Sequence, residues 1–203
     1  MPGPSDPQFW QERYEAGDTR WDKGAPAPPL VFFLRSRRMA GRVLVPGCGA
    51  GHDVREIARQ GADVTGLDFA PAAIASAQAF PVAGTETYLQ ANFLDRPPEI
   101  AARFDWIFEH TCYCAIDPAR RDDYVKACIH ALRPGGCLLA IFYLETGDPP
   151  DVGPPFSTSR DEILSRFGPF FEVEFSEVPQ TAYPGREGRE WLWMARLREV
   201  FTD

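Results

Sequence analysis

The sequence predicts an α/β protein, a doubly wound and mostly parallel seven-stranded sheet finished by a C-terminal antiparallel ribbon. Three observations predict it. Residues 42–53, Arg-Val-Leu-Val-Pro-Gly-Cys-Gly-Ala-Gly-His-Asp, end a short apolar run in glycines at 47, 49 and 51 just before a helical segment. Beyond them, apolar runs alternate with helix-period segments across short loops, the pattern of a parallel sheet. The tail differs, with Phe171, Val173 and Phe175 on one alternating run and Trp191, Trp193, Ala195 and Leu197 on another. Those two pair most simply as an antiparallel ribbon joined by loop 179–188.

Taken in order, Asp6-Pro7 is an N-cap with proline at the first helical position, and Trp10 and Tyr14 lie four apart on one helical face. That face is either a plug on the core or a cover for something else. Trp21-Asp22-Lys23-Gly24 and the prolines at 26–29 follow, then Leu30–Leu34, a second helix leading into the sheet. At 42–53 the glycines admit positive φ and leave no Cβ between backbone and ligand, while the next helix presents unpaired N–H groups. A strand, tight loop and helix start of this kind predict a nucleotide-like cofactor. The helix runs from His52 to Gln60 and ends at Gly61, and a second strand, 63–68, closes on Asp68, 17 residues after Gly51. At that spacing a carboxylate meets a ribose diol, although an acid there also serves as a cap for the helix starting at Pro71. Together with the glycine loop, the ribose reading leads.

A third strand spans Thr85–Gln90 and closes with Asn92-Phe93, and a fourth spans Phe104–Phe108 and closes with Glu109-His110. Asp117-Pro118 starts a helix, with Tyr124, Val125, Cys128, Ile129 and Leu132 at helical spacing, which Pro134-Gly135-Gly136 stops. Cys137–Tyr143 is continuously apolar, as a strand covered on both faces is. Ser159 and Glu162 form a capping box opening a helix that ends near Gly168.

Length and composition bound the function. The 203 residues predict one domain, 1–203. The net charge of −8, with scattered arginines, argues against nucleic acid or anionic membrane as partners. Five cysteines without a CxxC pair, three scattered histidines and no leader-like N-terminus predict a reduced, cytoplasmic protein without a metal cage. The 20 prolines, about twice ordinary usage, cluster at 26–29 and 149–155 as restricted loops or lids. A parallel sheet finished by a ribbon is the arrangement of small-molecule methyltransferases, whereas dinucleotide dehydrogenases usually continue the parallel order. The loop agrees, because His52 stands where GxGxxG needs its third glycine.

Trp10, Trp21-Asp22, residues 45–54, Gly66-Leu67-Asp68, residues 114–118, Gly153-Pro-Pro-Phe156 and residues 184–190 together resemble the thiopurine S-methyltransferase family, nearest its halide, thiocyanate and thiol methyltransferase branch. The resemblance implies a Rossmann-like methyltransferase fold with 1–40 as an N-terminal segment over the cofactor, S-adenosyl-L-methionine as that cofactor, and a small thiol or anion as substrate; a monomer is expected. It implies cofactor contacts from Trp10, Tyr14 and Trp21, whose ring faces attract a sulfonium. It adds Gly47, Gly49 and Gly51, Asp68 and Phe69 at the ribose, Asn92 and Phe93 at the adenine, and Glu109 and His110 at the methionine end. Substrate contacts fall on Trp21, Tyr113, Tyr143, Phe156 and Arg186. Thiopurine enzymes commonly carry arginine at the position of His110, a departure that weighs against a bulky aromatic thiol acid.

In-line transfer from a sulfonium asks chiefly for alignment and exclusion of water. An anionic nucleophile needs no strong base. If a neutral thiol must lose a proton, His110 is the candidate, with a cap or wall residue as its other reading. Tyr143 is the candidate hydrogen-bond donor to the nucleophile. Arg186 either attracts an anion or solvates its loop, and Gly153–Phe156 is either a lid or a structural proline turn. Cys112 and Cys114 are expected as buried thiols, His52 as a helix-start residue and Trp191 and Trp193 as core. Competing readings are thiopurine or metalloid methylation, a non-catalytic cofactor-binding protein, and a nicotinamide oxidoreductase, which the missing glycine disfavours.

Overall fold

A computed structural model describes residues 3–199, so Met1 and Pro2 of the N-terminal reading lie outside it. In chain order the elements are α1 (Pro7–Glu15), α2 (Pro28–Leu34), β1 (Arg42–Pro46), α3 (His52–Arg59), β2 (Asp63–Asp68), α4 (Pro71–Gln78), β3 (Thr85–Gln90), β4 (Phe104–His110), α5 (Arg121–Ala131), β5 (Leu132–Tyr143), α6 (Arg160–Phe167), β6 (Phe171–Glu177) and β7 (Glu190–Leu197). The seven strands form one sheet in the order β3-β2-β1-β4-β5-β7-β6. Strands β1 to β5 are parallel, and β7 runs antiparallel to both β5 and β6.

The chain turns to β2 and β3 on one side of β1 and to β4 and β5 on the other. Where the order reverses, the loops after β1 and β4 diverge and open a crevice at the carboxyl ends of the strands. Helices α5 and α6 cover one face of the sheet, meeting Leu138, Ala140, Phe142 and Trp193, and α2 and α3 cover the other, meeting Leu139, Ile141, Leu192 and Met194. Each large side chain so buried stabilises the fold by roughly 1.5–3 kcal/mol, which fixes the frame on which the loops stand.

Four local expectations need correction. Asp117 caps a single 3-10 turn, Pro118–Arg120, and the α-helix proper starts at Arg121. Helix α5 ends at Ala131 rather than at the glycines: Leu132 already pairs with Phe104, residues 133–136 loop out, and the ladder resumes at Trp106 and Cys137. The capping box is half formed, since Ser159 accepts from the Glu162 N–H while the Glu162 carboxylate turns to Arg121, Thr158 and Arg166. The ribbon does not alternate as written. A register shift between Val173 and Phe175 turns Phe175 to the opposite face under Arg37, leaving Val173 exposed at the sheet edge, and β7, placed between β5 and β6, is buried on both faces.

Candidate active site

A cleft of about 740 Å³ lies at the crevice, roofed by the N-terminal segment. Helix α1 starts on the Asp6 cap, whose carboxylate accepts from the Gln8 N–H at 2.9 Å, and none of its residues is more than partly buried. Its aromatic face covers the cleft rather than plugging the core. Trp10 and Tyr14 meet Trp21 edge to face at 5.2 and 5.5 Å, and the Trp21 indole N–H donates to the Tyr14 hydroxyl at 3.3 Å. The segment is strapped down beyond Trp21. The Asp22 carboxylate faces His52 Nε2 at 3.0 Å, and the Ala27 N–H donates to Asp53 at 2.7 Å. His52 is the first residue of α3, as expected, and its use is to hold this strap.

Below the aromatics lies the glycine loop. Gly47 and Gly49 have φ of +61° and +53°, and a Cβ at Gly47 would stand 2.7 Å from the Cys112 sulfur. At Gly49 a Cβ would enter the gap under the Tyr14 hydroxyl, 3.2 Å away. Gly51, the left-handed N-cap of α3, does not line the cleft; it keeps clear of Tyr88 behind the loop. Asp68 ends β2 inside the cleft wall and accepts from the backbone N–H groups of Gly49 and Ala70, each at 3.0 Å. It is therefore not the cap of α4, whose N-cap is Ala70. Burial pushes the Asp68 carboxyl up from its ordinary value, against the N–H groups of Ala70, Gly49 and Phe69. Burial likewise raises the Tyr14 hydroxyl, and the Asp68 charge adds to it.

Phe69, Asn92 and Phe93 line the same side, Asn92 accepting from the Leu94 N–H at 3.1 Å. On the other side stand Tyr143, Arg186 and the prolines 154, 155 and 184. The Arg186 guanidinium lies 5.1 Å from the Tyr143 ring and 5.5 Å from the Tyr183 ring. Tyr143 accepts from Arg189 at 3.3 Å.

Four further expected residues sit behind the wall rather than in it. Glu109, 1 % exposed, accepts from the Tyr113 N–H at 3.0 Å and the Tyr124 hydroxyl at 2.6 Å, which shapes the turn after β4. Tyr113 is packed among Tyr124, Phe142 and Phe167. Phe156 is buried, its N–H donating to the Cys114 carbonyl at 2.7 Å, so Pro154 and Pro155 form the wall where a closing phenylalanine is expected. His110 places Nδ1 2.9 Å from Asp53 and Nε2 3.4 Å from Arg186. Both ring nitrogens are thereby taken by protein partners, and His110 does not line the cleft.

Sequence reasoning missed Thr111 and Cys112, which line the cleft just past β4; a non-glycine residue at φ +60° has no signature in the sequence. It also missed the two prolines' direct role. Burial raises the thiols of Cys112 and Cys114, the latter to about 12, so both are protonated and inert at neutral pH.

The model of a family described as thiopurine S-methyltransferase matches residues 5–197. The chain belongs to the thiopurine S-methyltransferase family. It is 34 % identical over 192 residues to thiocyanate methyltransferase 1 of Brassica oleracea, covering 90 % of this chain and 82 % of that protein. It is also 34 % identical over 198 residues to probable thiol methyltransferase 2 of Arabidopsis thaliana, covering 95 % and 86 %. Among solved structures, the fold is shared with a Burkholderia thailandensis 1,6-didemethyltoxoflavin-N1-methyltransferase bound to S-adenosylhomocysteine, at 20 % identity, TM-score 0.74 and coverage of 98 % and 92 %. The protein is an S-methyltransferase whose methyl donor is S-adenosylmethionine. Its residues fit that group: two positive-φ glycines leave room a Cβ would fill, an acid stands at the end of β2, and three aromatic rings face the cleft.

Proposed function

We propose that the protein methylates small, soft nucleophiles that bind as anions: thiolates or sulfide, thiocyanate and halides. The observation that carries this reading is Arg186, 14 % exposed, lining the cleft between the rings of Tyr143 and Tyr183 beside a rigid proline wall. A weakly hydrated cation flanked by π-faces suits polarisable anions that shed water easily. The names of the plant relatives support the same class.

S-Adenosylmethionine supplies a methyl carbon already activated by its sulfonium. In this reading Trp10, Tyr14 and Trp21 hold the sulfonium end, Gly47 and Gly49 the methionine moiety, Asp68 and Phe69 the ribose, and Asn92 and Phe93 the adenine. Gly51 and Glu109 support the loops from behind, as Tyr113 and Phe156 do on the substrate side. Arg186 places the nucleophile, Tyr143 borders it, and the aromatic roof excludes water, so that alignment does most of the catalytic work. We assign His110 to holding Arg186 rather than to proton abstraction. The protein is taken as a single-domain cytoplasmic monomer acting on small molecules; the net charge of −8 and five free cysteines support this. Among the described residues no helix is long and apolar enough to cross a membrane.

The test is a sealed-vial assay with S-adenosylmethionine and sulfide, methanethiol, thiocyanate, iodide or an aromatic thiol, quantifying methylated product and S-adenosylhomocysteine together. Product from the small nucleophiles alone supports the reading. Product from the aromatic thiol alone moves the protein to a thiopurine-like substrate, and no S-adenosylhomocysteine from any of them overturns the reading.

A further inference from the structure

This inference rests on the reading that the cleft takes an anion at Arg186, and it concerns the carboxylate behind that arginine. Glu190, the first residue of β7, is 1 % exposed. One oxygen accepts from Arg186 Nη1 at 3.4 Å, and the other, Oε2, is buried with no donor among the described residues. The charged and titratable groups around it come from every neighbouring element: Arg186 from the preceding loop, His110 from β4, Asp53 from α3 behind His110, Tyr143 opposite it on β5, and Tyr183 under the guanidinium.

Glu190 shares its cation. Arg186 Nη1 stands 3.4 Å from a Glu190 carboxylate oxygen and 3.4 Å from His110 Nε2, while His110 Nδ1 faces Asp53. An anion seated on Arg186 competes with Glu190 for that guanidinium, in a place where half of the Glu190 carboxylate already lacks a donor. Glu190 is the group placed to give up its negative charge. We propose that Glu190 takes up one proton when an anionic nucleophile settles against Arg186, so that a neutral thiol is bound as its thiolate with its own proton held on Glu190.

The proton balance closes in both cases. For a thiol, the S–H bond breaks, its electron pair stays on sulfur and an O–H bond forms on Glu190; nothing is oxidised or reduced. For thiocyanate or a halide, the same proton comes from solvent. Glu190 is poised for this: burial pushes its carboxyl up from the ordinary value, and the nearby Asp53 charge pushes the same way, against the pull of His110 and Arg186. Weakening that pull with a bound anion raises it further. One cleft thereby accepts both acids and preformed anions, without a base in its wall.

The experiment is calorimetric titration of the S-adenosylhomocysteine-saturated protein with thiocyanate, in buffers of different ionisation heat and at several pH values. Wild type is expected to take up about one proton per thiocyanate bound near neutral pH, and E190Q none. Kinetics give a second readout of opposite sign: E190Q loses about 10–100-fold in kcat/KM for methanethiol while that for thiocyanate is unchanged or rises. E190D, which keeps the carboxylate, restores proton uptake and covers the case of an E190Q protein that fails to fold. Thiocyanate binding by wild type without proton uptake, or equal losses for both nucleophiles in E190Q, overturns the proposal while leaving the function standing. Absence of both thiocyanate binding and any S-adenosylhomocysteine formation overturns the two together.

Discussion

On the β1–β3 side of the cleft the backbone does the holding: Gly49 and Ala70 N–H groups, 19 and 2 residues away, fix Asp68, and positive-φ glycines set the loop. On the β5–β7 side, side chains from distant parts of the chain do it. Arg121, 1 % exposed on α5, donates to the carbonyls of Phe156 and Ser157 and to Glu162, pinning the Pro154-Pro155 wall across 35 to 41 residues. The first side is a fixed mould for a ligand that never varies. The second is a set of loops on ionic struts, which can be re-aimed without disturbing the mould, and this is where members of one fold differ in substrate.

If that division is right, damage to each side has a different signature. The largest effect is expected from Asp68→Ala. It strips a charged acceptor from two backbone donors, each such bond being worth about 1.5–3 kcal/mol. S-Adenosylhomocysteine affinity should fall about 100-fold or more by calorimetry, while KM for the nucleophile, measured at saturating cofactor, moves less than threefold. Equal losses in both would show that the two sides are not separable.

The same division explains what the sequence made legible. Gly47, Gly49 and Asp68 stand at the ends of neighbouring strands, so motif and spacing suffice to place them in the cleft, and the family resemblance adds Phe69, Asn92 and Phe93. The parallel sheet follows from alternating periods and the ribbon from the change of period at Phe171, whereas the place of β7 between β5 and β6 has no local signal. The opposite side was read less well because its geometry is decided at long range. Nothing local says that Phe156 turns inward onto the Cys114 carbonyl and leaves two prolines facing the ligand. Nothing local says that His110 is spent between Asp53 and Arg186, 57 and 76 residues away.

A smaller but selective effect is expected from Arg121→Met. Losing one partner of a buried ion pair costs about 3–5 kcal/mol, a fall in Tm on the order of 10 °C for a chain this size. Below the melting range, nucleophile KM should rise about tenfold as the proline wall loosens, with cofactor affinity within twofold. The acid behaviour of the two sides also differs in sign. At Glu162 burial works upward, but hydrogen bonds from Thr158 and Arg121, with Arg166, outweigh it and hold the carboxyl below its ordinary value. Its contribution to stability is therefore present above the unfolded value of about 4.3 and lost as pH falls through the lower folded value. Asp68, raised by burial, contributes below its unfolded value and loses that contribution as pH rises through the folded one. Glu162→Gln should thus flatten the acid limb of a Tm-against-pH curve, whereas Asp68→Asn should flatten the slope above it.

The smallest effect tests the roof. Trp21 stands between Trp10 and Tyr14 and donates to the Tyr14 hydroxyl, so Trp21→Leu opens the cage without touching the sheet. A cation over an aromatic face is worth about 0.5–2 kcal/mol, or roughly 2–30-fold in affinity. If the roof is a sulfonium cage, S-adenosylmethionine should lose about that much, and S-adenosylhomocysteine, whose sulfur is uncharged, distinctly less. The difference between the two ligands isolates the charge from the lost apolar contact, which both share. Equal losses would make the three rings a plain cover, held by the Asp22–His52 strap and serving only to keep water out.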